Sequence, residues 1–236
     1  MSDGLKTTCN TSPPYSIPWW QVDLGPEAAT AAADAVANRC LSQGPVSMEV
    51  ERQIAHLVDS RYAIATSSGS TALTLALMAA GAKPNDIVLC PAYTWIATAH
   101  AAHVLGCTVE IVDILPDRPV MDVSQVPDPT DRRRFAIPVH MNGHAADVHC
   151  LKEKGYIVIE DAAQALGSKS RDLNLGSIGD LGCFSFSVAK IIGSGQGGVI
   201  VTNSELYAER ARAMRTHGVV DVFAPESWQM PGHNFR

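Results

Sequence analysis

Short apolar runs and helical periodicities alternate along most of this chain. Residues 26–41 are Ala-rich and predict a helix. Over residues 46–58, Val50, Ile54 and Leu57 recur at helical spacing and predict a second helix with those three on one face. From Tyr62 onward the period changes repeatedly. Tyr62 to Ala65 is a short apolar run, and Ser70 to Ala80 reads as a helix stopped by Gly81 and a Pro84-Asn85-Asp86 turn. Ile87 to Cys90 predicts a strand, Trp95 to Leu105 a helix and Thr108 to Val112 a strand, before a connection rich in Pro and Asp through residue 130. Phe135 to Val139, Tyr156 to Ile159, Cys183 to Phe186 and Val199 to Thr202 predict further strands. Asn203 or Ser204 can cap a last helix reaching about Arg215, with Gly218 at its end. Strands that alternate with helices imply an α/β fold with a mainly parallel central sheet and helices on both faces. In such sheets ligands bind beyond the carboxyl ends of the strands, so the polar residues that follow apolar strands become the candidates.

Composition narrows the reading. The 236 residues suit one substantial domain with a real core, and 46% hydrophobic against 18% charged residues is a globular balance. Residues 1–18, rich in Pro, Ser and Thr, read as a lead-in rather than a core element. The expected organisation is an N-terminal arm over 1–25 and one domain over 26–236. A net charge of −6, with no long run of one sign, argues against nucleic acid as the main partner. The six cysteines form no CxxC pair, which argues against a metal site, and several lie in apolar segments, as buried reduced thiols do. That usage fits a reducing, cytoplasmic compartment. The first ten residues carry no signal-peptide pattern and no apolar stretch is long enough to span a bilayer, so no membrane association is expected.

Three segments could carry chemistry. Thr66-Ser67-Ser68-Gly69-Ser70-Thr71 lies between a strand and a helix. Its glycine lets main chain approach a ligand, and the N–H groups of the following helix favour an anion such as phosphate; an ordinary Ser/Thr helix cap would look the same. Glu160-Asp161 follows a buried strand and could hold a cationic partner; a solvated strand end or a cap for Ala162 onward is the plain alternative. Phe184-Ser185-Phe186-Ser187-Val188-Ala189-Lys190 is followed by Gly193-Ser194-Gly195-Gln196-Gly197-Gly198. A lysine there, withdrawn from water, would favour its neutral, nucleophilic amine; alone, it could equally be a surface lysine beside a flexible loop. Together, an anion cradle, a carboxylate for a ring nitrogen and a reactive lysine are what pyridoxal 5'-phosphate (PLP) requires.

The wording and order of these segments resemble the DegT/DnrJ/EryC1/StrS sugar aminotransferases, a family of fold-type I PLP-dependent enzymes. The matching stretches are SQGPVSMEVE, ATSSGSTALTLAL, PAYTWIATAHA, IPVHMNGHAADV, VIEDAAQALGS, GDLGCFSFSVAK, GQGGVIVTN and RAMRTHG, with GHNFR at the end. The resemblance implies the large, PLP-binding domain of that fold, with the family's C-terminal small domain beyond the stretch matched here. It implies that Lys190 carries the cofactor as a Schiff base, that Asp161 pairs with the pyridine nitrogen and that Gln164 lies near the ring's 3-hydroxyl. It further implies that Ser68, Gly69, Ser70 and Ser185 contact the phosphate, that Trp95 stacks on the ring and that Asn234 reaches the cofactor of a partner subunit in a homodimer. The family commonly has Asn-Ser-Gly-Thr where this chain has Ser67-Ser68-Gly69-Ser70, and Glu at Gln196.

The implied activity is ping-pong transfer of an amino group from an amino acid, usually glutamate or glutamine, to a keto sugar, usually nucleotide-linked. Relatives that dehydrate sugars have histidine at the lysine position, and Lys190 separates this chain from them. Two alternatives remain at this stage: a related PLP enzyme acting on a cyclitol, and an incomplete or split PLP-binding subunit that needs a C-terminal partner chain.

Overall fold

The strands of the computed structural model, which describes residues 18–221 and 224–236, are β1 (Tyr62–Thr66), β2 (Ile87–Pro91), β3 (Thr108–Val112), β4 (Arg133–Ala136), β5 (Ile157–Asp161), the short β6 (Lys169–Ser170) and β7 (Leu173–Asn174), β8 (Leu181–Ser185) and β9 (Gly198–Thr202). Seven of them form one sheet in the order β1-β9-β8-β5-β4-β2-β3, while β6 and β7 make a separate hairpin. Pairing is parallel from β8 through β5, β4 and β2 to β3; β9 is antiparallel to both of its neighbours. β1 therefore runs in the same direction as β8. The carboxyl ends of β1, β2, β4, β5 and β8 open onto one edge, and the candidate residues follow those ends.

The helices are α1 (Gly25–Ala37), α2 (Pro45–Leu57), α3 (Gly69–Ala80), α4 (Ala97–His103), α5 (Val148–Glu153) and α6 (Glu205–Arg215). α3, α4 and α6 cover one face of the sheet, where Leu75, Leu77, Ala102 and Ala211 pack on Ile64, Val88, Phe135, Ile159 and Ile200. On the other face Ile54 of α2 joins Val199, Val201 and Phe184, and Val148 and Leu151 of α5 pack on Leu89, Ala136 and Val158. The alternation of β5 shows the division: Ile159 serves the first face and Val158 the second.

Most boundaries follow local chemistry. Ser68 caps α3 by accepting from the Thr71 N–H, with Thr71 bonding back, and Gly81 ends the helix in the left-handed region at φ 87°. Ser204, rather than Asn203, caps α6. α1 stops at Ala37 instead of reaching residue 41, because the chain turns through Arg39 at φ 58°. β4 ends at Ala136 rather than Val139, since Pro138 has no N–H for the ladder. α4 is shorter at both ends than the periodicity predicts. β5, in contrast, runs on through Asp161. The helix face predicted for α2 is only partly buried: Ile54 is enclosed, whereas Val50 and Leu57 are exposed. α5 and the β6–β7 hairpin were not expected.

Most of the arm, residues 1–17, lies outside the described residues, and residues 18–24 have no regular secondary structure. α1 buries none of its residues. Cys90, Cys107 and Cys183 are buried free thiols, as expected, but Cys40 and Cys150 are only half-buried; Cys9 lies outside the described residues. Among the described residues no helix is long and apolar enough to cross a membrane.

Candidate active site

Asp161 closes β5 and is 6% exposed. Its backbone is pinned on one side, with Asp161 N–H donating to the Pro138 carbonyl (2.9 Å) and His140 N–H donating to the Asp161 carbonyl (3.0 Å). The carboxylate accepts from the Thr98 hydroxyl at Oδ2 (2.7 Å) and from the Ala163 N–H at Oδ1 (3.2 Å). Burial pushes its pKa above the ordinary carboxylate value, opposed first by the Thr98 and Ala163 hydrogen bonds and then by the charge of Lys190. Each oxygen keeps acceptor capacity, so the group is arranged to receive a further donor.

Glu160, its neighbour in sequence, does something else. The strand continues past Ile159, so adjacent side chains point to opposite faces and Glu160 enters the core. It accepts from the N–H groups of Gly176 (2.9 Å), Ile178 (2.7 Å) and Gly179 (2.6 Å) and lies 2.7 Å from His140 Nε2. The Ala146 N–H donates to His140 Nδ1 (3.1 Å), so Nε2 carries the ring proton and donates to Glu160. This fully buried pair ties the segment after β4 to β5. The reading of Glu160-Asp161 as two acids at a ligand edge is thus corrected: only Asp161 faces the site.

Lys190 sits in the loop between β8 and β9, which is closed by Phe186 N–H to Gly197 carbonyl (2.9 Å) and Ser194 N–H to Phe186 carbonyl (2.8 Å). Its own N–H donates to the Ser187 carbonyl (2.9 Å). The side chain is half-buried, and desolvation lowers its pKa, against a smaller opposing pull from Asp161. That environment moves the amine toward its neutral form.

The anion cradle forms where β1, α3, β8 and β9 meet. A side chain on Gly69 would bring its first carbon to 2.7 Å from Ser185 Cβ, and one on Gly198 would run into the Ser68 backbone. Bare main chain is what lets the first turn of α3 lie against Ser185. The N–H groups of Gly69 and Ser70 have no partner within the helix and are available to an anion. Ser68, in contrast, uses its hydroxyl to cap the helix.

The remaining expected residues are placed as follows. Gln164 accepts the Asn142 N–H at Oε1 (2.9 Å), which leaves its amide N–H groups to donate elsewhere; Asn142 is in the left-handed region at φ 53°. Trp95, just before α4, is 74% exposed. Asn234 lies in a cleft whose lining includes neither Asp161 nor Lys190. Gln43, Thr66, Arg215 and Arg236 also line this cleft of about 330 Å³, although the Ser67 N–H bond to the Phe235 carbonyl (2.9 Å) keeps the Asn234 segment near the cradle. Thr98, Asn142 and His140 escaped the sequence reading. Thr98 left one signal, a second threonine four residues earlier at Thr94, one helical turn away.

The α/β sheet thus brings the close-packed first turn of α3, a buried carboxylate and a half-buried lysine to one edge. The chain belongs to the DegT/DnrJ/EryC1/StrS aminotransferase family, whose model matches residues 22–236. That family is PLP-dependent and is described as one of aminotransferases. The chain is 35% identical over 202 residues to the protein MosB of Rhizobium meliloti, covering 80% of this chain and 39% of that protein. It is 35% identical over 201 residues to a pleiotropic regulatory protein of Geobacillus stearothermophilus, covering 83% and 54% respectively. Among solved structures it is similar to DesV of S. venezuelae (34% identity, TM-score 0.79, 88% of this chain and 57% of that one). It also resembles an aminotransferase of Psychrobacter cryohalolentis (27% identity, TM-score 0.84, 92% and 59%). The chain thus spans roughly two-fifths to three-fifths of these proteins' lengths.

Proposed function

We propose that this chain carries the cofactor-binding half of a PLP-dependent transfer of an amino group from an amino acid to a keto sugar. The observation that carries the reading is the enclosed Asp161, which accepts from Thr98 and Ala163 and stands within electrostatic reach of a half-buried lysine of lowered pKa. The residues fit PLP. Gly69, Ser70 and Ser185 would hold the phosphate, Asp161 the ring nitrogen, the Gln164 amide the 3-oxygen, and Trp95 a face of the ring.

When bound, PLP supplies an electron-poor ring that takes up charge from the amino donor's α-carbon. The other steps belong to the chain. Asp161, as a carboxylate, keeps the ring nitrogen protonated. Gln164, fixed by Asn142, presents N–H to an acceptor oxygen. Lys190 would hold the cofactor at rest and, as a free neutral amine, would take the proton from the donor's α-carbon and deliver it to the neighbouring cofactor carbon.

A nucleotide-linked acceptor is supported by the likeness to DesI, solved in the presence of its TDP-sugar product, at 29% identity and TM-score 0.79 over 91% of this chain. Glutamate or glutamine as donor, and Asn234 acting across a two-fold dimer, follow from the family resemblance alone.

The test is to load the chain with PLP, reduce with borohydride and map the modified peptide, then measure conversion of glutamate to 2-oxoglutarate in a single half-reaction. Labelling is expected at Lys190 and absent in Lys190→Ala. A variant that still labels at the same yield would remove Lys190 from the role, and a chain that takes up no PLP would sink the reading.

A further inference from the structure

We propose that Thr98 is the positioning residue of the site, its hydroxyl, held in turn by Thr94, fixing Asp161 in place as a carboxylate for the ring nitrogen. Thr98 is fully buried in the first turn of α4, and its Oγ1 lies 2.7 Å from Asp161 Oδ2 and 2.7 Å from Thr94 Oγ1. A hydroxyl has one proton to give. If Asp161 is ionised, Thr98 must donate to it and Thr94 must donate to Thr98, so the two bonds run in series toward the carboxylate. If Asp161 is neutral, the series can reverse, with the acid donating to Thr98 and Thr98 to Thr94. The threonine pair is therefore coupled to the charge of the group beside it, and hydrogen bonds in series reinforce one another in a dry site.

The other surroundings of Asp161 supply little else that would hold the charge. Cys90 on β2 and Cys183 on β8 are buried thiols with raised pKa values, that of Cys90 pushed up to about 12, and so stay neutral. His140 beyond β4 is neutral by its hydrogen bonds, with Nδ1 accepting from Ala146. Glu160, the next residue on the strand, faces the opposite side of the sheet. Among the described residues Lys190 is the cation whose charge acts on Asp161, and desolvation moves it toward the neutral amine. That leaves Thr98 and the longer Ala163 N–H contact as the direct donors to the carboxylate.

The role of Asp161 rests on the function proposed above, so the first measurement avoids the cofactor. In the cofactor-free chain, the Asp161 side-chain carbonyl is titrated by carbon-13 NMR in wild type, Thr98→Val and Thr98→Ser. Loss of a hydrogen bond to a charged group is expected to make Asp161 about tenfold or more weaker as an acid in the valine variant; serine should restore wild-type behaviour. Thr94→Val should shift it in the same direction by less. Thr98→Ala carries the same comparison should valine not fold. The second measurement is PLP affinity, expected to fall about tenfold in Thr98→Val and to recover in Thr98→Ser. A simple packing role would leave the Asp161 titration in place, and wild-type titration in the valine or alanine variant would overturn the proposal, as would a serine variant that titrates like valine. A wild-type chain that binds no PLP would overturn the proposed function, while the carboxylate titration would still decide the part played by Thr98.

Discussion

Asp161 combines two opposing demands. Burial favours its neutral form, while the role proposed for it needs a negative charge. Because its folded pKa lies above the unfolded value, the folded chain binds the proton more tightly, and this residue withdraws stability as pH rises from the unfolded carboxylate value through the raised folded one. Asn at this position does not titrate. Replacing Asp161 by Asn in the cofactor-free chain should therefore change the melting temperature by a pH-dependent amount. The variant gains on wild type from about pH 4 upward and the difference levels off once pH exceeds the folded pKa. Paired thermal melts across that range check it, and a difference independent of pH would show that Asp161 is not held in a charge-averse setting. A constant offset from the altered bonds to Thr98 and Ala163 drops out of the comparison.

The edge strand β1 presents the main problem at the level of elements. Its inner side pairs with β9, while its outer N–H and carbonyl groups need partners. Glu51 of α2 accepts the Ala65 N–H (2.8 Å), and Arg215 at the end of α6 donates to the Ala65 carbonyl (2.9 Å). Glu51 and Arg215 also bond to each other at 2.7 Å in a mostly buried pair. The same clasp attaches α2 and α6 to the strand that leads into the phosphate cradle. Removing one partner strands the other charge and an edge N–H. Glu51→Ala is expected to cost about 3 kcal/mol, read as a lower urea midpoint. A loss comparable to that of an ordinary surface substitution would show that the clasp contributes nothing.

Across the whole molecule, the apolar surface is uneven. Trp19, Trp20, Leu24 and Val36 are exposed around α1, and Tyr93, Trp95, Ile96, Ile191 and Ile192 are exposed around the candidate site. Patches of this kind tend to be covered by another surface. Together with the outward placement of Asn234, this supports the two-fold dimer implied by the family resemblance, since an isologous contact places both sites symmetrically. Sedimentation at assay concentration is expected to give a dimer, and Asn234→Ala is expected to weaken PLP binding without changing that mass. A monomer that binds PLP at full affinity would count against both.

The alternating strand and helix pattern, the caps at Ser68 and Ser204 and the candidates Gly69, Ser185, Asp161 and Lys190 were legible along the chain, because each depends on nearest-neighbour chemistry. Apolar period, a small residue where backbone must approach, and a polar residue beyond a buried strand are all local signals. The family resemblance added the role of each residue toward a cofactor, and only by position. The resemblance singled out Asp161 of the two adjacent acids; what sequence could not show was that Glu160 turns into the core, because that depends on β5 continuing to Asp161 and sending Glu160 to the opposite side. Nor could it pair Thr98 with Asp161, sixty-three positions away, fix His140 on Glu160 or set Asn142 against Gln164. Those contacts join segments distant in the chain, and only the stacking of β2, β4, β5 and β8 in one sheet, with α4 laid across it, brings them within hydrogen-bond reach.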